Sequence, residues 1–291
     1  MKTVNYILVM LVALSIFGCQ KDPLTAINDG SWNKERNIID ISFVGQVGKT
    51  TIVRNEQGAT IVFKDYADDF SAIKVNSLEV SYGATASVKI GETLDFNNAG
   101  NTATITVTPA NGDPFVWTVK ADKFVNPYKG TWSIQNFKFK WDDWNGWGLA
   151  GEANVADKFP LAASGSDDMI TFGSVEGVDP SGALFGSYIR ANGADAAFGA
   201  YTLNGTDWSF KFGQLPGGTG KYFINPDNSV SVQIDGSATK FVSKGSKETD
   251  GTTMTYQLDA KQDMSIDWND YYSTVNQLKT TFDIWYVLKK Q

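Results

Sequence analysis

The feature that most constrains the fold is a two-residue alternation of apolar and polar side chains in short segments. Successive side chains of a β-strand point to opposite faces of its sheet, so this period is typical of half-buried strands. A comparable period of 3.6 residues, which would indicate helices, does not appear, and we predict an all-β chain. The clearest segments are Ile39, Ile41 and Phe43; Leu78 and Val80; Ala103, Ile105 and Val107; and Phe115, Trp117 and Val119.

Residues 38–124 are predicted to form an Ig-like β-sandwich. This region carries about seven short strand patterns at regular intervals, as such sandwiches do. Asn111-Gly112-Asp113 lies between two of them and is a hairpin signal.

A second all-β domain is predicted over residues 127–291, after a turn at Asn126–Gly130. Its many antiparallel-looking strands indicate a jelly-roll sandwich or a lipocalin-like β-barrel, and the pattern does not separate the two. Trp132 opens the domain and residues 282–287 close it, so we expect these end strands to lie close together. Further strand candidates are 169–172, 208–212, 221–224, 230–234, 254–258 and 280–288.

The N-terminus has the pattern of a bacterial lipoprotein signal. Lys2 precedes an apolar segment, residues 6–17, and Gly18 is followed by Cys19, the single cysteine of the chain. We predict that residues 1–18 are a signal peptide, that Cys19 is lipidated (for example by palmitate), and that residues 19–37 are a flexible tether. The alternative is an ordinary secretory signal with a stray cysteine.

Several short motifs resemble those of Bacteroidota-type surface lipoproteins, in particular starch-utilisation-system-like, glycan-binding lipoproteins with an N-terminal Ig-like domain. The resemblance implies an outer-membrane protein exposed at the cell surface, a spacer role for the Ig-like domain, and a complex with an outer-membrane transporter as a possible partner. The residues that carry it are Gln20-Lys21-Asp22, Ser81-Tyr82-Gly83-Ala84-Thr85, Leu94-Asp95-Phe96, residues 115–119, Gly130-Thr131-Trp132, residues 215–220, and the closing Trp268 and Trp285 segment.

Composition excludes several classes of function. The net charge is −7 and no basic run offsets it, so nucleic acid is not expected as a partner. The chain contains no histidine, which removes Ser-His-Asp triads and histidine metal sites. We predict neither a cofactor nor a bound metal.

A tryptophan-rich run at residues 141–148 is the first candidate ligand site. Its Asn-Gly pair indicates a turn, where rings and polar groups become accessible. Indoles beside carboxylates and an amide suit a pyranose, whose apolar C–H face stacks on a ring while its hydroxyls need donors and acceptors. Core packing is the alternative, equally weighted for Trp141. The candidates are Trp141, Asp142, Asp143, Trp144, Asn145 and Trp147.

A second cluster repeats this chemistry with Trp268, Tyr271 and Tyr272. The alternative is that these rings pack against the barrel. Asp167-Asp168 resembles a calcium ligand pair, but no calcium-loop pattern accompanies it, and a solvated turn is the preferred interpretation.

The predicted function is non-catalytic capture of a poly- or oligosaccharide for an uptake system. A surface adhesin or scaffold is the first alternative. A glycoside hydrolase using two carboxylates is the second. Asp142 and Asp143 do not supply that pair, because adjacent residues of a strand point to opposite faces.

Overall fold

The computed structural model describes residues 31–55, 58–142, 150–159, 161–163, 165–203, 205–259, 277 and 281–291. The chain divides into two compact units, unit 1 up to Phe124 and unit 2 from Val125 to Gln291. Strands make up 56% of the described residues and helices 3%, which confirms the all-β prediction. None of the helices within the described ranges is long and apolar enough to cross a membrane.

Unit 1 is a sandwich of two sheets. One sheet has the strand order β1-β4-β6, and the other has the order β2-β3-β8-β7-β5 with β3 and β8 parallel. Inward side chains of both sheets, such as Phe43 and Trp117, form one core. The strands are β1 (Ile38–Phe43), β2 (Gln46–Asn55), β3 (Gly58–Asp65), β4 (Ile73–Val80), β5 (Thr85–Ala86), β6 (Thr93–Leu94), β7 (Thr102–Thr108) and β8 (Phe115–Lys123).

The predicted hairpin joins β7 to β8, with Val107 paired to Phe115. The alternation would place Ile39 on the inner face with Ile41 and Phe43, but it does not lie there. A register shift in β1 between Ile38 and Asp40 turns Ile39 to solvent and Ile38 into the core. Such a bulge adds one residue and reverses the phase of the alternation.

Among the described residues, unit 2 contains the remaining strands and short helical segments. The predicted strand at 208–212 is wrong, because this segment forms a 3-10 helix (Ser209–Phe212). The strands are β9 (Gly130–Trp141), β10 (Gly151–Asn154), β11 (Leu161–Ala163), β12 (Met169–Val178), β13 (Leu184–Ala191), β14 (Ala200–Leu203), β15 (Thr206–Asp207), β16 (Gly218–Ile224), β17 (Val230–Ile234), β18 (Phe241–Ser243), β19 (Gly245–Thr249), β20 (Thr253–Gln257) and β21 (Thr281–Lys290), with helix α1 (Val155–Lys158) after β10.

One long sheet curls around the core of unit 2. Its strand order is β18-β17-β16-β13-β12-β9-β21-β20-β19, with β10 also paired to β9. The strands at its two ends, β18 and β19, are separated in sequence only by Lys244, and the hydroxyls of Ser243 and Tyr256 are 2.6 Å apart. The sheet therefore bends back until its edges approach each other, which favours the barrel over the jelly roll. A small sheet, β11-β14-β15, completes the unit.

The core of unit 2 is unusually aromatic. Trp132, Tyr188, Tyr222, Tyr256 and Tyr286 are among its largest fully buried side chains. The first and last strands, β9 and β21, pair over most of their length, which confirms their predicted closeness.

Candidate functional site

The two aromatic segments predicted to contact ligand are attached at the same end of the curled sheet. Residues 143–149 lie in the connection between β9 and β10, and residues 260–280 lie in the connection between β20 and β21. Trp141 pairs with Gly151 on one side and with Thr281 on the other. Gln257, the last residue of β20, is near the same strand ends, because it pairs with Trp285 of β21. We call this end of the sheet the loop end.

Most of the predicted contacts lie outside the described residues. The structure places Trp141 and Asp142 at the end of β9. The residues outside the described ranges are Cys19, Asp143, Trp144, Asn145, Trp147, Trp268, Tyr271 and Tyr272.

Trp141 is packed into the core at the loop end. It is 8% exposed, and its ring centroid lies 5.1 Å from that of Phe139. The Nζ of Lys158 lies 5.8 Å from the indole centroid, and a side chain at Gly151 would clash with the indole. Asp142, the next residue, is exposed. Trp141 is therefore packed in the core, whereas Asp142 lies at the surface.

A polar cleft with one indole lies on the outer side of the sheet, next to the loop end. Its volume is about 140 Å³. Cross-strand pairs bring its residues together: Lys140 pairs with both Glu152 and Asp283, and Gln257 pairs with Trp285. We call this surface the Trp285 face, formed by Lys140, Glu152, Thr255, Gln257, Asp283 and Trp285.

The Trp285 face combines a half-buried indole with donors and acceptors. The Gln257 side-chain amide donates to Asp283 Oδ1, and Lys138 Nζ lies 3.0 Å from Glu152 Oε1. Aromatic area beside fixed polar groups is the arrangement that orients an amphipathic ligand. Because pockets that enclose a whole drug-sized ligand measure about 300–1,000 Å³, this cleft fits one part of a larger ligand.

Trp285 was not among the residues predicted for the site. The signal for it is the alternation in β21: Ile284, Tyr286 and Leu288 are buried, so Asp283 and Trp285 face outwards. The sequence carries the same signal, because Trp285 is in phase with the polar residues Asp283 and Lys289 of its strand.

A buried ion pair lies inside unit 2. Arg190 Nη2 and Asp168 Oδ2 are 2.6 Å apart, and the two side chains are 2% and 0% exposed. The preferred interpretation of Asp167-Asp168 as a solvated turn is therefore wrong for Asp168. Asp168 directly precedes β12. Its carboxylate is buried because it compensates the charge of the Arg190 guanidinium, which points into the core.

The same guanidinium holds the segment that follows the 3-10 helix. Arg190 Nη1 donates to the carbonyl of Leu215, and the Tyr188 hydroxyl donates to the carbonyl of Pro216 over 2.8 Å. Gln214 accepts from the Tyr286 hydroxyl at 3.2 Å and donates to the Gly199 carbonyl at 3.0 Å. This network ties an irregular segment to the inner face of the sheet.

A second cleft, of about 200 Å³, opens where β9 bulges. Asn136 pairs with Val287 and Ile134 with Leu288, so Gln135 is the extra residue. Phe137 and Tyr201 border the cleft, but their rings pack against each other at 5.5 Å in the core. Among the described residues that line it, the cleft offers hydrogen-bonding groups without an exposed ring. The Trp285 face is therefore the better candidate for a sugar.

The resolved carboxyl pKa shifts in unit 2 are downward. A glycosidase general acid requires the opposite, a raised pKa that keeps it protonated. Within the described part of unit 2, groups of three or more potential metal-ligating residues are also lacking. The lowered carboxyl pKa values belong to Asp179, Asp207 and Asp227, through hydrogen bonds from the Ser181, Ser209 and Ser229 hydroxyls, and to Asp250, through the Thr253 amide.

No protein-family model matches the chain, and no curated protein matches it. Among solved structures, a Bacteroides fragilis protein provisionally described as secreted is 20% identical over 32% of this chain and 98% of its own, with a TM-score of 0.24. A Bacteroides thetaiotaomicron protein provisionally described as a glycoside hydrolase is 13% identical over 89% of this chain and 96% of its own, with a TM-score of 0.26. Both TM-scores are too low to carry an argument about fold or function.

Proposed function

We propose that this protein is a surface lipoprotein that binds a poly- or oligosaccharide without cleaving it, at the loop end of unit 2. The observation that carries the proposal is the common attachment of the two aromatic segments beside the Trp285 face. Segments far apart in sequence leave one edge of one sheet, where an indole and polar groups already line a cleft. A glycan chain has several pyranose rings. One of them can stack on the indole of the Trp285 face while others contact aromatic side chains of the two attached segments.

The hydrolase alternative needs two carboxyl groups that flank one glycosidic bond, one of them protonated. On the Trp285 face the carboxylates already have partners: Asp283 accepts from Gln257, and Glu152 pairs with Lys138. Binding without cleavage requires neither a raised pKa nor a free carboxyl group. This favours a binding function over catalysis.

Binding and cleavage are separated by two assays on the same protein. On an array of poly- and oligosaccharides we expect the wild-type chain to retain at least one glycan. Incubated with that glycan, it should release no reducing sugar over the enzyme-free control. Release of reducing ends would establish the hydrolase, and an array without any bound glycan would leave the adhesin or scaffold alternative.

We further propose that Cys19 carries the lipid anchor in the outer membrane, and that an outer-membrane transporter receives the glycan. Replacing Cys19 with alanine should move the protein from the membrane fraction to the soluble fraction, because an acyl anchor contributes about 0.8 kcal/mol per buried methylene. Fractionation followed by immunoblotting measures this change. A variant that stays wholly in the membrane pellet would show that another segment anchors the chain.

A further inference from the structure

The first described residues of unit 1 are fixed against the sandwich. The buried Asn33 side chain donates to the Tyr82 carbonyl at 3.0 Å and accepts from the Glu35 amide at 2.9 Å. Its carbonyl accepts from the Asn111 amide at 3.0 Å, and the carbonyl of Arg36 accepts from Trp117 Nε1 at 3.0 Å. Side chains along residues 31–36 are therefore displayed from a rigid backbone.

Trp32 of this segment and Tyr82, whose carbonyl is hydrogen-bonded to the segment, both expose large aromatic side chains to solvent. Trp32 is 58% exposed and Tyr82, whose carbonyl binds Asn33, is 57% exposed. Single exposed apolar residues are ordinary, but two exposed amphipathic rings on segments joined by a hydrogen bond indicate an interaction surface. Trp and Tyr are the residues enriched where protein meets the lipid headgroups.

Positive charges accompany these rings. The guanidinium carbons of Arg36 and Arg54 lie 5.2 Å and 5.0 Å from the centroid of the Phe115 ring. Two like charges stacked on one ring repel each other, and an anion beside them relieves the repulsion. Lys34 is exposed in the same groove, whose lining includes Trp32 and both arginines.

Acidic residues offset only part of this local charge and leave the groove with a net charge of about +1. Glu35 and Asp113 also border the groove, but Arg36 Nη1 donates to the Asp113 backbone carbonyl at 2.8 Å, not to its carboxylate. Three cations and two carboxylates line a groove in a chain whose net charge is −7. We call Trp32, Lys34, Arg36, Arg54 and Tyr82 the cationic aromatic patch.

We propose that the cationic aromatic patch binds the anionic headgroups of a lipid surface. The rings fit the interfacial layer, and Arg and Lys next to a membrane attract anionic lipids. The position in the chain fits this partner, because Trp32, Lys34 and Arg36 lie in the last part of the predicted tether, residues 19–37, where hydrogen bonds hold the chain against the sandwich. The part of the tether before the first described residue, residues 19–30, spans at most about 43 Å when fully extended at about 3.3–3.6 Å per residue. The orientation of unit 1 towards the membrane therefore rests on the proposed anchor at Cys19, whereas binding to lipid requires only the patch.

Cosedimentation with vesicles tests the proposal on residues 20–291, which keep both units whole and lack the acyl chain. We expect binding to phosphatidylcholine vesicles that contain phosphatidylglycerol, weakened at high ionic strength, and little binding to phosphatidylcholine alone. Arg36→Gln with Arg54→Gln should weaken binding about 25-fold, since each basic residue near a charged membrane contributes about 1 kcal/mol. Trp32→Ala should weaken it about fivefold or more.

Lys64→Gln with Lys74→Gln is the matched control, because it removes the same charge from the other end of the sandwich. Lys64 pairs with Val47, whereas Arg54 pairs with Ala59 at the opposite end of β2 and β3. We expect this control to bind like wild type. Equal weakening by both pairs, or no wild-type binding to anionic vesicles, would overturn the proposal. Glycan binding on the array is independent of either result, since the patch lies wholly in unit 1.

Discussion

Replacing Asp168 with alanine is expected to lower the free energy of unfolding of unit 2 by about 3–5 kcal/mol. The substitution leaves the guanidinium of Arg190 buried and without its carboxylate, 2.6 Å away in the native protein. An uncompensated charge inside a protein is among the most destabilising single changes, because its hydration is lost and nothing replaces it. Chemical denaturation monitored by circular dichroism measures the loss.

The control is the double variant Asp168→Leu with Arg190→Met, which removes both charges. We expect it to recover most of the lost stability, because an apolar pair of similar volume replaces a buried ion pair at little cost. The Arg190 bond to the Leu215 carbonyl is then also lost, so the amide hydrogens of Gln214, Leu215 and Gly217 should exchange faster. If the single variant were as stable as wild type, the ion pair would have no structural role.

The strands of this protein were predictable because the alternation is strong, whereas interruptions of it were not. At Ile39 a bulge reverses the phase, and nothing in the local sequence marks the extra residue. At residues 208–212 aromatic side chains occur in a segment that folds as a 3-10 helix. There Phe212 is buried in the core without belonging to a strand, so tertiary packing overrides the β-propensity.

Only one member of the buried ion pair could be predicted from the sequence. Arg190 falls on the inward phase of β13, together with Leu184 and Tyr188. A charged residue on an inward phase predicts a buried partner. The partner, Asp168, directly precedes another strand, β12, and only the pairing of β12 with β13 brings the two residues together.

The residue types of the candidate site could be predicted from the sequence, but their proximity depends on the strand order of the sheet. Tryptophans beside carboxylates and amides identified the two aromatic segments. Their attachment at one edge follows from the neighbouring positions of β10, β9, β21 and β20, which depend on pairings between the two ends of unit 2. The outward indole of β21 lies in an almost wholly apolar run, residues 284–288, where alternation is weak, so the sequence does not single it out as a ligand contact.

Replacing Trp285 with alanine is expected to weaken glycan binding about five- to a hundredfold while the protein stays folded. An aromatic ring stacked on a ligand contributes on the order of 1–3 kcal/mol, judged by aromatic platforms for nucleobases. The same loss of affinity is expected for Trp144→Ala and Trp147→Ala, which belong to the attached segment 143–149. Isothermal titration with the glycan selected on the array measures all three.

The melting temperature of each variant shows whether a loss of affinity comes from a lost contact with the ligand or from a destabilised fold. Trp132→Ala is the matched control, because this indole is fully buried and its Nε1 donates to the Tyr128 carbonyl at 2.7 Å. Its loss should cost about 3–5 kcal/mol of stability and lower the melting temperature markedly. Trp285 faces outwards, so its removal creates no comparable cavity and should leave the melting temperature near that of wild type. If Trp285→Ala melted as early as Trp132→Ala, or bound the glycan unchanged, the Trp285 face would be part of the scaffold, and the site would have to lie elsewhere at the loop end.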